Sequence, residues 1–317
     1  MVSRLMEGCL AELGISCATE PKEIVMTIDP NAVGAAGKPT ERSWGYRDSL
    51  LYAVGIGAGA EDPFGSELEF TTHNSKGIEH QTFPTQGVVI GFGAGGAIGK
   101  VGEIDWGRVL HGSQGITLHR PIPVGGTVVI EEKVSGIWDK GEGKNAIIDT
   151  EASAALKETG ESLFDLRGSL VVRGAGGFGG EEGNTAPQVH APDVSPDHEI
   201  TYQTRQDQAL TYRLSGDYNP LHSDPWFATE LGGFPTPILH GLCTYGFTGR
   251  ALLHALCDGD PSRFGSMDSR FSSPVFPGDS LTVQIWVEGG NAIYRTIAQK
   301  DTEQERTVID NGMCSFS

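Results

Sequence analysis

Two hydrophobic patterns recur along the chain, and they predict helices and strands. Apolar residues repeat at helical spacing from Leu242 to Leu256, which predicts a long buried helix over 241–256. Apolar and polar residues alternate from Leu281 to Val287, which is typical of a half-buried strand. Residues 126–138 predict a similar strand earlier in the chain, and short amphipathic helices are predicted over 47–55 and 205–215.

The predicted elements follow the same order in two parts of the chain, which indicates an internal repeat. The matching segments are 48–57 with 207–216, 83–85 with 234–236, 120–130 with 273–283, and 145–148 with 291–294. We therefore predict a duplicated α+β fold in which a long helix is wrapped by an antiparallel sheet twice. In the first copy the helix is expected around the glycine-rich residues 91–96.

The best candidate for a linker is the glycine-rich stretch GAGGFGGEEGN at 174–184, which a polar, proline-bearing segment follows. It divides the chain into a first repeat over 1–175, a linker over 176–195 and a second repeat over 196–317. A total length of 317 residues suits two such units.

Composition and charge restrict the function classes. Hydrophobic residues make up 38% and charged residues 20%, as in ordinary globular proteins, while the formal net charge is -18. So acidic a chain is not expected to bind nucleic acid or a membrane surface. A polyanionic substrate would require the few lysines and arginines to cluster at its site.

The cysteines and termini indicate an intracellular, soluble protein. Five cysteines, at positions 9, 17, 243, 257 and 314, form no C-x-x-C pair, which predicts free thiols in a reducing compartment. No apolar run approaches the roughly 20 residues of a membrane span, and the N-terminus lacks a signal-peptide core. The compartment itself is not legible: a peroxisome is expected in a eukaryote and the cytoplasm in a bacterium.

Two common site types are not expected. Residues 91–96 and 174–179 match the G-x-G-x-x-G pattern, but neither lies in a strand–turn–helix unit of the kind that binds a dinucleotide. The 9 histidines show no metal-ligand spacing, so no metal site is predicted.

Residues 212–224, YRLSGDYNPLHSD, contain the most informative constellation. Asp217, Asn219 and His222 lie close together, and Gly216 and Pro220 indicate that the backbone turns there. A carboxylate and an imidazole on one turn can share a water molecule and exchange protons with it, while the asparagine holds the turn. The alternative is an Asx-turn beside a surface histidine.

A second constellation, PILHG at 237–241, leads directly into the predicted long helix. Gly241 would then place an unpaired N–H at the positive end of the helix, where it could stabilise an oxyanion. The alternative is that Gly241 only permits close packing. His240 is interpreted as a structural hydrogen-bonding residue.

These motifs resemble the hydratase 2 (MaoC-like) family. The resemblance is carried by G-D-x-N-P-x-H at 216–222, by H-G at 240–241 and by residues 269–281. Residues 109–126, 138–149 and 173–180 look like the hydratase 2 domain of peroxisomal multifunctional enzyme type 2, so the likeness covers most of the chain from about residue 45.

The resemblance implies a double hot-dog fold and (R)-specific, reversible hydration of trans-2-enoyl-CoA in fatty-acid β-oxidation or related acyl-CoA metabolism. It also implies a homodimer and no cofactor, since coenzyme A is part of the substrate. It assigns Asp217 and His222 as the catalytic pair, Asn219 as its support and Gly241 as the oxyanion-hole residue. The substrate-binding residues that it implies are His111, Gly112, Lys140, Tyr218, Pro220, Leu221 and Phe271.

The alignment of the two repeats places Ala58 opposite Asp217 and Pro63 opposite His222, so the first repeat is predicted to keep the fold without the chemistry. Two alternatives stay open: a dehydratase acting on acyl-carrier-protein thioesters, and a non-catalytic subunit that binds acyl thioesters. Hot-dog thioesterases lack the G-D-x-N-P-x-H segment.

Overall fold

The structure, a computed structural model, describes residues 26–183 and 188–317, and an antiparallel sheet dominates it. The strands are β1 (Thr27–Ile28), β2 (Thr40–Trp44), β3 (Gly102–Glu103), β4 (Val109–Leu118), β5 (Gly126–Asp139), β6 (Ala146–Leu156), β7 (Ser162–Val172), β8 (His198–Gln203), β9 (Phe264–Phe271), β10 (Ser280–Glu288), β11 (Asn291–Ala298) and β12 (Arg306–Phe316). In these ranges, 10 strands form one sheet in the order β2-β5-β6-β7-β4-β9-β12-β11-β10-β8, and β1 pairs with β3.

The two halves of the chain meet in the middle of this sheet. Strands β4 and β9 pair in antiparallel fashion, with Gly115 opposite Asp268 at the centre of their register. On one side of this pair all the strands come from the first half of the chain, and on the other side all come from the second half. This arrangement confirms the predicted α+β double hot-dog fold.

The central helix is the longest in the described structure. The helices are α1 (Tyr46–Gly55), α2 (Leu68–Thr71), α3 (Gln86–Ile90), α4 (Gln208–Tyr212) and α5 (Gly241–Cys257). Helix α5 is buried on nearly every face because the second half of the sheet wraps around it, and it ends where Asp258 adopts a positive φ of 53°. The helix predicted over 241–256 is therefore confirmed.

The shorter predictions hold with adjusted boundaries. The helix expected over 47–55 is α1, and the one expected over 205–215 is α4 followed by a single 3-10 turn at Arg213–Ser215. The strands predicted over 126–138 and around 281–287 are β5 and β10.

The prediction of a second long helix in the first half is wrong. Helix α3 ends after five residues, and a loop over 91–96 follows it. Gly93, Gly95 and Gly96 in this loop all have positive φ, between 62° and 81°, which a right-handed helix cannot contain. A short helix and a glycine loop thus occupy the place where the first half would otherwise hold a long helix.

The described residues include no helix that is long and apolar enough to cross a membrane. Cys243, Cys257 and Cys314 are buried free thiols, as predicted, whereas Cys9 and Cys17 lie outside the described residues. Residues 184–187 of the predicted linker also lie outside them.

Candidate active site

A cavity of about 780 Å³ opens between the two halves. The second half contributes the turn at 216–222, the start of α5 and the end of β9. The first half contributes strands β4 to β7, the end of α3 and the glycine loop that follows it. The volume is in the range of pockets that bind small organic ligands.

The turn that carries Asp217 and His222 is held by its own side chains. Gly216 adopts a φ of 130°, and an oxygen of Asp217 then accepts a hydrogen bond from the N–H of Asn219, at 3.1 Å. The side chain of Asn219 accepts from the N–H of Leu221, at 3.0 Å, and so caps the 3-10 turn Pro220–His222. Asn219 therefore supports the turn, and Asp217 and His222 both line the cavity.

The orientation of His222 is fixed by a backbone contact. Its Nδ1 donates to the carbonyl oxygen of Ile238, at 2.9 Å, so the neutral ring carries no proton on Nε2. The side chain is buried, and this burial lowers the pKa of the imidazole, while the carboxylate of Asp217 opposes the shift. The ring is thus held neutral, with Nε2 able to accept a proton.

His240 lies beside this pair. Its ring stacks on that of His222, with centroids 3.8 Å apart, and its Nε2 donates to the carbonyl oxygen of Asp217, at 3.1 Å. Burial, followed by the proximity of His222, lowers the pKa of His240 well below its usual range. These contacts agree with the interpretation of His240 as a structural residue, although its stacking on His222 could not be read from the sequence.

Asp217, His222 and His240 bring three possible metal-ligand atoms within 4.8 Å of one another, a proximity that the spacing of histidines did not predict. The lone pair of an imidazole lies in the plane of its ring. Because the two histidine rings are stacked with only 28° between their planes, their lone pairs do not converge on one point near the rings. The cluster therefore suits proton exchange better than chelation.

Gly241 is the first residue of α5, and it lines the cavity next to the turn. The first N–H groups of a helix have no intrahelical acceptor, and the helix dipole makes this end positive. A methyl group added at Gly241 would lie 3.5 Å from the ring of Phe271. The glycine thus places a hydrogen-bond donor in a narrow part of the cavity.

Most of the predicted substrate-binding residues line the cavity. His111 and Phe271 meet in an edge-to-face contact, with ring centroids 5.2 Å apart, and burial lowers the pKa of His111 to about 4 although Asp217 opposes the shift. Tyr218, Pro220 and Leu221 line it through the turn at 216–222.

Gly112 and Lys140 are not among the residues that line the cavity, and their part in substrate binding stays a prediction. Gly112 sits at an irregularity in β4, and a side chain there would point at Val171 and Ser169 of β7. The ammonium group of Lys140 donates to the carbonyl oxygen of Glu182, at 2.6 Å, in the segment after β7. Among the lining residues the only cationic one is Arg167, which pairs with Asp268 at 2.9 Å.

Two family models match the chain. The MaoC-like domain matches residues 187–309, and the N-terminal domain of the hydratase 2 part of multifunctional enzyme type 2 matches residues 43–174. The two matches together cover most of the sequence and correspond to the two halves of the sheet.

Two relatives match this chain over most of both sequences. The chain is 49% identical to 3-hydroxyacyl-thioester dehydratase Y of Mycobacterium tuberculosis, over 92% of this chain and 99% of that protein. It is 38% identical to the peroxisomal enoyl-CoA hydratase 2 of Arabidopsis thaliana, over 85% and 89% of the respective chains. The crystal structure of a MaoC-like dehydratase from Phytophthora capsici superposes with a TM-score of 0.78 at 30% identity, and the match covers 92% of this chain and 98% of the other.

Proposed function

Since the chain belongs to the hydratase 2 (MaoC-like dehydratase) family of hydro-lyases, we propose that it catalyses the reversible, (R)-specific hydration of trans-2-enoyl-CoA in acyl-CoA metabolism. One observation carries the proposal. The carboxylate of Asp217 and the unprotonated Nε2 of His222 line the same cavity as the N–H of Gly241. Such a site offers proton acceptors and an oxyanion donor together.

The proposed reaction uses one water molecule held between Asp217 and His222. One member of the pair accepts a proton as the water oxygen bonds to C3 of the enoyl thioester. The pair then passes that proton to C2 on the same face, so the product gains both parts of the water and the enzyme regains its starting state. The thioester serves as the electron sink, which is why no cofactor is proposed.

Gly241 would act on the thioester oxygen. Negative charge develops there as water adds to C3, and a fixed N–H at a helix N-terminus stabilises that charge without reorganisation. The narrow position of Gly241 beside Phe271 would bring the thioester group close to this N–H.

Coenzyme A is proposed as the thiol in preference to an acyl carrier protein. Carrier proteins are acidic, and this chain has a net charge of -18, so the two would repel each other unless the mouth of the cavity were basic. The only cation that lines the described cavity already pairs with a carboxylate. Coenzyme A is itself polyanionic, but it brings fewer negative charges to this acidic surface than a whole carrier protein does, and the relative from Arabidopsis thaliana is named as an enoyl-CoA hydratase.

The proposal is tested by following the loss of enoyl-thioester absorbance with trans-2-decenoyl-CoA and identifying the product. Oxidation of the product by a (3R)-specific 3-hydroxyacyl-CoA dehydrogenase, with no oxidation by a (3S)-specific one, is the expected result. A (3S) product would contradict the proposed stereochemistry while leaving the hydratase activity intact.

Replacing Gly241 with proline is expected to lower kcat by about 10²-fold, because it removes a single oxyanion donor. Proline is tolerated at the first position of a helix, and the preceding His240 has an extended ψ of 135°, which a following proline allows. Gly241→Ala is the matched control, since it adds carbon but keeps the N–H. Equal losses in the two variants, measured by steady-state kinetics, would argue that bulk and not the missing donor is responsible.

The acid limb of the pH profile of kcat/KM is expected below pH 6.5, the ordinary pKa of histidine. The base must be neutral to accept a proton, and burial lowers the pKa of His222, so activity should persist into more acidic solution than for an exposed histidine. The profile is measured for hydration of trans-2-decenoyl-CoA, with circular dichroism to verify folding at each pH. A limb above pH 6.5 would contradict the proposed state of His222.

A further inference from the structure

The first half of the chain forms the part of the cavity that lies away from Asp217 and His222. Glycines and apolar side chains make up most of its wall there. Among its polar residues, Gln114 already donates to two backbone carbonyls, and Arg167 already pairs with Asp268. Glu132 on β5 and Thr150 on β6 are different, because they present oxygen atoms that the fold does not use.

The strand register places these two residues together on the inner face of the sheet. Glu132 pairs with Ala152, and Thr150 lies two residues before Ala152 on the same strand, so both side chains point to the same side. Such diagonal neighbours are roughly 7–8 Å apart between their Cα atoms. They form a small polar patch, which we name the distal patch, on an otherwise apolar surface.

A row of paired residues connects the distal patch to the catalytic end of the cavity. Thr150 pairs with Gly168 of β7, and Gly168 pairs with Gln114 of β4. A side chain at Gly168 would lie 3.8 Å from Nε2 of His111, so this glycine leaves open space beside a residue of the catalytic end. Three strand spacings, roughly 15 Å, separate β4 from β5 across the sheet, and the register places Glu132 across from Ile116, several residues along β4 from His111.

Only one of the two carboxylate oxygens of Glu132 accepts a hydrogen bond in the described structure. Its Oε2 accepts from the N–H of Ala97, at 2.9 Å, and so anchors the loop that follows α3. Within residues 26–183 and 188–317, neither its Oε1 nor the hydroxyl of Thr150 has a hydrogen-bond partner. Burial raises the pKa of Glu132, opposed by the bond from Ala97. An amide oxygen would accept the bond from Ala97 equally well, so the anchor alone does not require a carboxylate at this position.

We propose that the acyl group of the substrate carries a hydroxyl group at its distal end, which donates to Oε1 of Glu132 and accepts from the hydroxyl of Thr150. The inference rests on the proposed function and adds the chemical class of the acyl chain. A site that offers polar partners to a substrate hydroxyl selects against the analogue that lacks this hydroxyl. When that analogue binds, its apolar end covers the polar partners and leaves them without hydrogen bonds.

The test compares trans-2-enoyl-CoA substrates with and without a terminal hydroxyl, in a series of decenoyl, dodecenoyl, tetradecenoyl and hexadecenoyl chains. For the wild type, kcat/KM is expected to favour the hydroxylated substrate by about tenfold or more at the chain length that reaches the distal patch. In Glu132→Gln this preference should fall to about unity, and in Thr150→Val it should fall at least about threefold.

The control is Glu131→Gln, on the exposed face of the same strand, which should keep the full preference. An unchanged thermal transition in Glu132→Gln would show that the loop anchor is intact. A wild-type ratio of one or less at every chain length, or an unchanged ratio in Glu132→Gln, would overturn the inference. If the wild type hydrates none of these substrates, the proposed function itself fails, and the inference fails with it.

Discussion

Replacing Asp217 with asparagine, or His222 with glutamine, is expected to lower kcat/KM for hydration of trans-2-decenoyl-CoA by about 10²–10⁴-fold. Each change removes one of the two groups that are proposed to act on the same water. Both variants should fold, because asparagine can still accept from the N–H of Asn219 and the 3-10 turn at Pro220–His222 keeps its cap.

The combination of the two changes gives a sharper result. Because the two groups are proposed to act as a unit on one water, the double variant is expected to be about as inactive as the worse single variant. His198→Gln, which changes an exposed histidine on β8, is the control and should keep wild-type kinetics. If either single variant retained most of its activity with an unchanged thermal transition, that residue would have no part in proton transfer.

Replacing Arg250 with methionine is expected to destabilise the fold by about 3–5 kcal/mol, because it removes one partner of a buried ion pair. The guanidinium of Arg250, on α5, contacts both carboxylate oxygens of Glu67, at 2.5 and 2.8 Å. His254 contacts the same carboxylate at 2.8 Å, and the N–H of Gly59 donates to it. Through these contacts Glu67 holds the segment between α1 and α2 against the central helix α5.

The protonation of Glu67 adds a dependence on pH. Burial alone would raise the pKa of this carboxyl, but the bonds from His254 and Arg250 lower it to about 2. Because the folded pKa lies below the ordinary value of 4.5, the stabilisation is complete above that pH and is lost as the pH falls toward 2. Its full size is on the order of 3 kcal/mol.

Denaturant unfolding at neutral and acidic pH measures both effects. Arg270→Met is the matched control, since Arg270 and Asp310 form a partly exposed pair whose loss should cost only about 0–1 kcal/mol. A loss in Arg250→Met no larger than in this control would show that the cluster around Glu67 does not stabilise the fold.

Local patterns were sufficient to predict the central helix and the turn at 216–222. The helical spacing from Leu242 to Leu256 corresponds to a helix that the sheet surrounds. Gly216 and Pro220 indicated a turn, and such a turn brings Asp217 and His222 to one surface. These features depend on neighbouring residues, which is why the sequence alone reveals them.

Features that depend on distant residues were not predicted. The stacking of His240 on His222 requires the turn at 216–222 to pack on the start of α5. The loop over 91–96 was expected to be helical because the repeat suggested it, although its glycines already favoured a break. The alternation along β5 already placed Glu132 on the same inward face as Ile130 and Val134. Its position in the cavity wall could not be predicted, because it depends on the loop after α3 that packs against it through Ala97.

The most direct test of the central claim is the reaction of trans-2-decenoyl-CoA with the wild-type protein in water labelled with oxygen-18, analysed by mass spectrometry. We expect one labelled oxygen per turnover, bonded to C3 of an intact 3-hydroxyacyl thioester. Free coenzyme A together with label in a released carboxylate would instead identify a thioesterase, and a substrate recovered without label would show that the cavity binds acyl thioesters but does not hydrate them.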